Sequence, residues 1–252
     1  MKRLDFIKSF GLGGTSLILP NLNLGKKPIK IYDNYLKGII HYQLNEVIKK
    51  QIELVVSWVR VGSIHGVMNT DNTLVSGETI DYGPCAMMNS FDFDTVFSSI
   101  DRQGRYAFGN QPNIANWNCA RLAESLIPLI NEDDEQAVAL LSPLINSFAE
   151  KFNHAFTDMW AQKLGLDGHK PEDSELVAEL LALLKDNSLD YTNTFDSLTR
   201  SLKESVTLPS VLSSWSEKWA HRTHKQSYSI MRKVNPTLIP RNYMVEKILK
   251  DF

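Results

Sequence analysis

The chain has 252 residues, a formal net charge of −2 and an apolar content of 43%. That length suits one domain, and the apolar share is sufficient for a buried core. Basic residues are spread along the chain, and no apolar run approaches the ~20 residues of a membrane span. The sequence therefore predicts neither a nucleic-acid-binding protein nor a membrane-spanning one.

The first 27 residues have the outline of an export signal. A basic start, a short apolar centre and an exit rich in Pro, Asn and Gly follow one another. Because no A-x-A cleavage motif is present, a disordered or surface-packed leader is the alternative. Residues 28–44 are left unassigned, except that the alternation over 29–32 is typical of a strand.

A helix is predicted next, because apolar residues recur with helical spacing. The repeat runs through Leu44, Ile48, Ile52, Val55 and Val59. Gly62 is expected to end this helix.

A polar loop over 63–72 follows, and residues 73–81 are predicted to form a small β-hairpin. Two β-prone pairs, at 74–75 and 79–80, are separated by Ser-Gly-Glu. A hairpin of this length would return Asp81 to the neighbourhood of Asn72, so that both side chains reach one cation.

The rest of the chain is predicted to be mainly α-helical. Residues 84–109 have no clear period and are interpreted as an ordered loop with a short helical turn. Helices are expected at 112–130, 133–164 with a kink at Pro143, 171–184, 191–204, 209–225 and 241–250.

Two polar motifs in residues 65–83 resemble the catalytic loop and the D-F-G motif of protein kinases. His65 and Asn72 are in register with the first motif, and Asp81 is in register with the second. Val67 occupies the position of the kinase catalytic Asp. A valine cannot accept a proton, so ordinary kinase chemistry is not expected, and Asp71 is the carboxylate that remains in the loop.

A longer series of motifs resembles the selenoprotein O (SelO) family of protein adenylyltransferases, which have a kinase-like fold. The matching segments, in order, are IELVVSWVRVGSIHGVMNTDN, GETIDYGP, GRYAFGNQP, IANWNCARLAESLIPLI, AQKLGL, DYTNTFDSL and MRKVNPTLIPRNYMVE. The resemblance covers about residues 45–252. It implies the helical C-terminal lobe of a kinase-like fold.

The resemblance also implies an activity and roles for three residues. The activity is transfer of AMP from ATP to Ser, Thr or Tyr hydroxyls of proteins, with Mg²⁺ as cofactor and a cytoplasmic location. Asn72 and Asp81 would bind the metal, Asp81 would also contact the nucleotide, and Asp71 would be the general base. From the residues alone, an Asx residue that caps a loop is the favoured interpretation of each. The oligomeric state stays open.

The family holds the ATP phosphates with a long N-terminal portion, for which residues 1–51 leave no room. We therefore expect a pseudokinase-like chain that is an incomplete adenylyltransferase by itself. The alternatives are a catalytically inactive helical interaction domain and the product of a truncated or rearranged gene.

Overall fold

The computed structural model describes residues 34–251, and most of that range is helical. The helices are α1 (Asn34–Val61), α2 (Gln111–Ile130), α3 (Asp134–Asn146), α4 (Phe148–Leu164), α5 (Asp173–Asp186), α6 (Tyr191–Ser201), α7 (Ser213–Ala220), α8 (Ser227–Val234) and α9 (Asn242–Lys250). Short 3₁₀ turns lie at Thr70–Asn72, Phe108–Asn110 and Ser210–Leu212. The predicted leader and the strand at 29–32 lie outside the described residues.

Helix α1 begins earlier than predicted and carries the predicted core stripe. Its five repeating apolar residues are all buried, none more than 4% exposed. This face packs against α2 and α4, which places α1 at the centre of the fold. Gly62 ends the helix as predicted, with a φ of +75° that favours glycine. Within residues 34–251, no helix is both long and apolar enough to cross a membrane.

The long helix predicted at 133–164 is two helices, α3 and α4. Asp133 caps the first of them by accepting hydrogen bonds from the backbone N–H groups of Glu135 and Gln136. The two helices are separated at Ser147, whose hydroxyl donates to the Leu144 carbonyl at 2.7 Å. A hydrogen bond from a serine hydroxyl to a backbone carbonyl competes with the backbone hydrogen bonds that continue a helix.

The predicted hairpin at 73–81 is wrong. The segment contains a turn closed by the Gly77 N–H and the Leu74 carbonyl at 3.0 Å, but no strands. Helix α1 holds the segment instead: Gln51 Nε2 donates to the Leu74 carbonyl at 2.7 Å, and Trp58 Nε1 donates to Thr79 Oγ1 at 2.9 Å. The antiparallel sheet of the described residues is formed elsewhere, by β1 (Ser63–Ile64) and β2 (Ala86–Met87).

A buried lysine ties α4 to the end of α1. Lys163 is 1% exposed. Its Nζ donates to the Arg60 carbonyl at 2.8 Å and to Asn235 Oδ1 at 3.1 Å, and lies 3.8 Å from the ring centroid of Phe195. Burial, and secondly the charge of Arg60, hold the pKa of Lys163 well below its ordinary value.

This lowered pKa predicts a pH-dependent contribution to stability. Between the native pKa and the ordinary value of 10.5, the unfolded chain binds the proton that the native chain lacks. The contribution of Lys163 to the free energy of unfolding therefore rises with pH, by at most ~1.4 kcal/mol per pH unit. The difference between the wild type and Lys163→Met should accordingly move in favour of the wild type between about pH 7 and about pH 10.

Denaturant unfolding of both proteins across this pH range measures the difference. Lys49→Met is the control, because Lys49 is an exposed residue of the same protein and should show no such trend. A difference for Lys163→Met that is constant with pH would contradict the prediction.

Candidate active site

All three predicted site residues lie in one loop, residues 65–85, which we call the site loop. The two strands close its base: Ser63 pairs with Met87 and Ile64 with Ala86. The Met88 N–H also donates to the Gly62 carbonyl at 2.8 Å. The loop therefore leaves and re-enters the fold at one fixed place.

Gln111, the first residue of α2, supports the base of the site loop. It is fully buried, and its amide makes two bonds: Nε2 donates to the Ser63 carbonyl, and Oε1 accepts from the His65 N–H, each at 3.0 Å. This role was not predicted, although Gln111 lies in the segment GRYAFGNQP. An amide at the start of an apolar helix was the available signal.

Asn118, two turns further along α2, supports the middle of the loop. Its Nδ2 donates to the Met68 carbonyl at 3.1 Å and to Thr73 Oγ1 at 2.9 Å. These two atoms flank the 3₁₀ turn at 70–72. This residue was also missed, and its signal was a polar side chain within the apolar stripe of a predicted helix.

His65 joins the two limbs of the site loop, which are residues 65–72 and residues 73–85. The ring is 3% exposed, and Nε2 lies 2.9 Å from the Ile80 carbonyl. Because a carbonyl can only accept, Nε2 carries the hydrogen, and Nδ1 is left to accept from the Val67 N–H at 3.4 Å. The ring thus fixes the position of Ile80, the residue before Asp81, relative to the first limb.

Asp71 and Asn72 share the 3₁₀ turn at the tip of the first limb. Asn72 Nδ2 donates to the Val67 carbonyl at 3.1 Å, which fixes the orientation of the amide. Its Oδ1 has no donor among residues 34–251 and is the atom that can face a cation. Asp71 is exposed, and its carboxylate has no ion pair with another described residue.

Asp81 lies on the second limb in a strained backbone conformation. Its φ is +55°, a value that Asp tolerates better than most residues. The side chain is exposed and makes no hydrogen bond within the described part of the chain. Burial, and secondly the charge of Asp81, raise the pKa of the nearby Cys85 thiol. Strained residues of this kind cluster at functional sites.

The structure brings Asp71 and Asn72 onto one turn and connects Asp81 to them through His65. No direct hydrogen bond joins Asp81 to Asn72 in residues 34–251, so their sharing of one cation stays a prediction. No group of three or more His, Cys, Asp or Glu side chains in this range is arranged to hold a metal by itself. A metal held here would need further oxygen ligands.

Two residues of the segment MRKVNPTLIPRNYMVE, Arg241 and Asn242, hold the C-terminal end of the site loop in place. Arg241 forms a two-pronged ion pair with Asp190 at 2.8 and 3.0 Å and also bonds to Asn89, just after β2. The hydrogen bond with Asp190 raises the pKa of the Arg241 guanidinium. Asn242 Nδ2 donates to the Cys85 carbonyl at 3.2 Å. Residues from the end of the chain thus help to position the second limb.

Comparison with known proteins identifies the family of the chain. The family model described as "Protein adenylyltransferase SelO" matches residues 32–252. A protein nucleotidyltransferase YdiU from Pseudoalteromonas translucida is 71% identical over 209 residues, which is 83% of this chain and 45% of the relative. A protein nucleotidyltransferase YdiU from Anoxybacillus flavithermus is 50% identical over 214 residues, which is 82% of this chain and 44% of the relative.

The match begins N-terminal to residue 45, the start expected from the motifs, and includes all of α1. The chain spans a little under half the length of these curated relatives. Since the family model covers most of the residues, the chain belongs to the SelO family.

Proposed function

We propose that this chain supplies the metal-binding and proton-accepting part of a protein adenylyltransferase, which transfers AMP from ATP to a Ser, Thr or Tyr hydroxyl of a protein. One observation carries the proposal. The site loop, which α1 and α2 both hold, presents the carboxylates of Asp71 and Asp81, exposed and without an ion pair in residues 34–251, and the amide of Asn72, oriented by its own loop. The names of the relatives give the same reaction class.

In this proposal Asp71 is the general base. The acceptor hydroxyl oxygen forms a bond to the α-phosphorus of ATP, the bond from that phosphorus to pyrophosphate breaks, and the hydroxyl proton moves to the Asp71 carboxylate. General-base help of this kind contributes ~10²–10⁴-fold to a rate. Asp71 is suited to the role because its carboxylate is exposed and forms no ion pair with the residues that the structure describes.

Asn72 and Asp81 are the proposed ligands of Mg²⁺. The ion prefers oxygen and is commonly held by one or two carboxylates together with substrate phosphates. The Oδ1 of Asn72 and the carboxylate of Asp81, neither of which has a partner within residues 34–251, fit that donor set. When bound, Mg²⁺ would neutralise charge on the phosphate oxygens.

We further propose that contacts to the ATP phosphates come from the part of the relatives' length that this chain does not span. Positioning of reactants is worth ~7–11 kcal/mol of a barrier, so residues 1–252 by themselves should give little transfer. A kinase-like arrangement of the complete enzyme and a cytoplasmic location belong to the same proposal.

A chimaera tests this function. The matching 209 residues of the Pseudoalteromonas relative are replaced by the corresponding residues of this chain. With α-³²P-ATP and Mg²⁺, the chimaera should label protein and residues 1–252 alone should not. Asp71→Ala should remove most of the labelling, and Asp186→Ala, at an exposed position outside the site loop, should not.

Labelling by residues 1–252 alone would contradict the assignment of the phosphate contacts. A chimaera that gives none, when the parent relative is active, would contradict the proposed function and favour the inactive interaction domain.

A further inference from the structure

Helix α9 has an apolar side that nothing in residues 34–251 covers. None of its nine residues is buried, and it makes no extensive contact with another element of the described chain. Four of its apolar residues, each 39–70% exposed, are Met244, Val245, Ile248 and Leu249. We call these four residues the α9 face.

The α9 face is one continuous stripe, because helical residues three and four positions apart lie on the same side. The opposite side of the helix is polar and carries Glu246, Lys247 and Lys250. Single exposed apolar residues are normal on a protein surface, but a contiguous apolar stripe with a polar margin marks a site of interaction.

The helix begins beside the proposed metal site. Asn242 Nδ2 donates to the Cys85 carbonyl at 3.2 Å, and the preceding Arg241 is held by its ion pair with Asp190. Cys85 is four positions after Asp81, and four residues span at most about 14 Å. Helix α9 is therefore fixed at its first turn next to the site loop.

The relatives indicate what covers the α9 face. The family model includes α9, so the helix belongs to the part of the fold that the family shares. The matches span 45% and 44% of the two relatives, which leaves more than half of each outside the match. In the proposed function this remaining part holds the ATP phosphates, and it must then lie over the site loop, where α9 begins.

The size of the α9 face argues against a second copy of this chain. A helix of nine residues is about 14 Å long, and two such faces bury too small an area for a stable dimer. In the relatives, by contrast, both parts belong to one polypeptide. A small apolar contact suffices there, because the link between the parts gives a high effective concentration.

We infer that the α9 face is the docking surface for the remaining part of the enzyme, which covers it with a complementary apolar surface. The polar side of α9 stays in water. The identity of the partner as the part that holds the ATP phosphates rests on the proposed function.

Cysteine labelling tests the inference. Ile248→Cys is made in residues 1–252 and in the chimaera, with α9 included in the exchanged segment. The rate of reaction with N-ethylmaleimide is followed by peptide mass spectrometry, so that reaction at Cys85 is measured separately. The new thiol should react at least about ten-fold more slowly in the chimaera, because a covered thiol reacts only when the contact opens.

Lys250→Cys is the matched control, because it places the same thiol on the polar side of α9. Its rates in the two proteins should agree within about three-fold.

A second change tests whether an apolar contact gives the protection. Leu249→Glu, added to the chimaera with Ile248→Cys, places a charge in the contact. The thiol should then react within about three-fold of its rate in residues 1–252 with both changes. Lys247→Glu, on the polar side, should leave the thiol of the chimaera protected.

Equal rates for Ile248→Cys in the two proteins would overturn the inference, and so would equal protection of Lys250→Cys. A rate in residues 1–252 that falls as the protein concentration rises would show that a second copy covers the face instead. If the chimaera does not fold, the Pseudoalteromonas relative with a cysteine at the position that corresponds to Ile248 replaces it. Labelling uses no ATP, so a protected thiol in an inactive chimaera would contradict the proposed function and still support the docking surface.

Discussion

Asp81→Asn in the chimaera is expected to lower the rate of AMP transfer by about 10³-fold. Asn tolerates positive φ as Asp does, so the strained backbone at +55° is kept and only the charge is lost. A bound Mg²⁺ would stabilise the charge of the transition state by several kcal/mol, and loss of a carboxylate ligand would remove much of this. Each 1.36 kcal/mol of barrier corresponds to about ten-fold in rate.

Initial rates with α-³²P-ATP over a range of Mg²⁺ concentrations measure this effect. Asp186→Asn is the matched control, because it makes the same chemical change at an exposed residue at the end of α5. A rate for Asp81→Asn within about three-fold of the control would show that Asp81 is not a ligand of the proposed metal site, independently of the result for Asp71.

Gly66→Ala is expected to unfold or rearrange the site loop. Gly66 has a φ of +83°, and a Cβ on this residue would lie 2.0 Å from the Pro84 carbonyl oxygen, well inside contact distance. The positive φ alone costs ~1–3 kcal/mol, and the clash forces one limb of the loop away from the other. We expect the free energy of unfolding to fall by about 2 kcal/mol or more.

Urea unfolding measures this change. Gly38→Ala is the control, because a Cβ there meets nothing within 4 Å and the residue lies in α1, where Ala is favoured by up to about 1 kcal/mol. If Gly66→Ala were as stable as the wild type, the close approach of Gly66 to the Pro84 carbonyl would not constrain the conformation of the site loop.

The parts of the fold that were predicted well depend on local signals. The apolar repeat of α1 and its end at Gly62 each follow from residues a few positions apart. Helix α8 was missed because it has only eight residues, which is too short for a sustained apolar repeat.

The hairpin failed for a different reason. Residues 73–81 have β-prone pairs around a turn, but Leu74 and Thr79 find their hydrogen-bond partners in α1, at Gln51 and Trp58. Gly77 packs so closely on α1 that a Cβ would lie 2.7 Å from that of Lys50. Contacts with a helix more than twenty residues away therefore override local propensity.

For the candidate site, the sequence led to three candidate residues but not to the side chains that support their loop. Asp71, Asn72 and Asp81 were proposed because their motifs resemble those of a known family, and their roles stay predictions. Gln111 and Asn118, which hold the loop, lie more than forty residues along the chain from the atoms they bond. Such pairings depend on how α2 packs, and one sequence carries no direct signal for that.

The end of α1 has a consequence for how the protein is made. The last carbonyls of this helix are bonded by side chains from far along the chain: Tyr191 donates to the Val59 carbonyl, 132 positions away, and Lys163 to the Arg60 carbonyl, 103 positions away. Lys163 in turn bonds to Asn235. On the ribosome, α1 and the site loop emerge before the residues that fix their junction, which lie more than a hundred positions further along the chain. During synthesis the loop should therefore stay unformed until these residues have emerged.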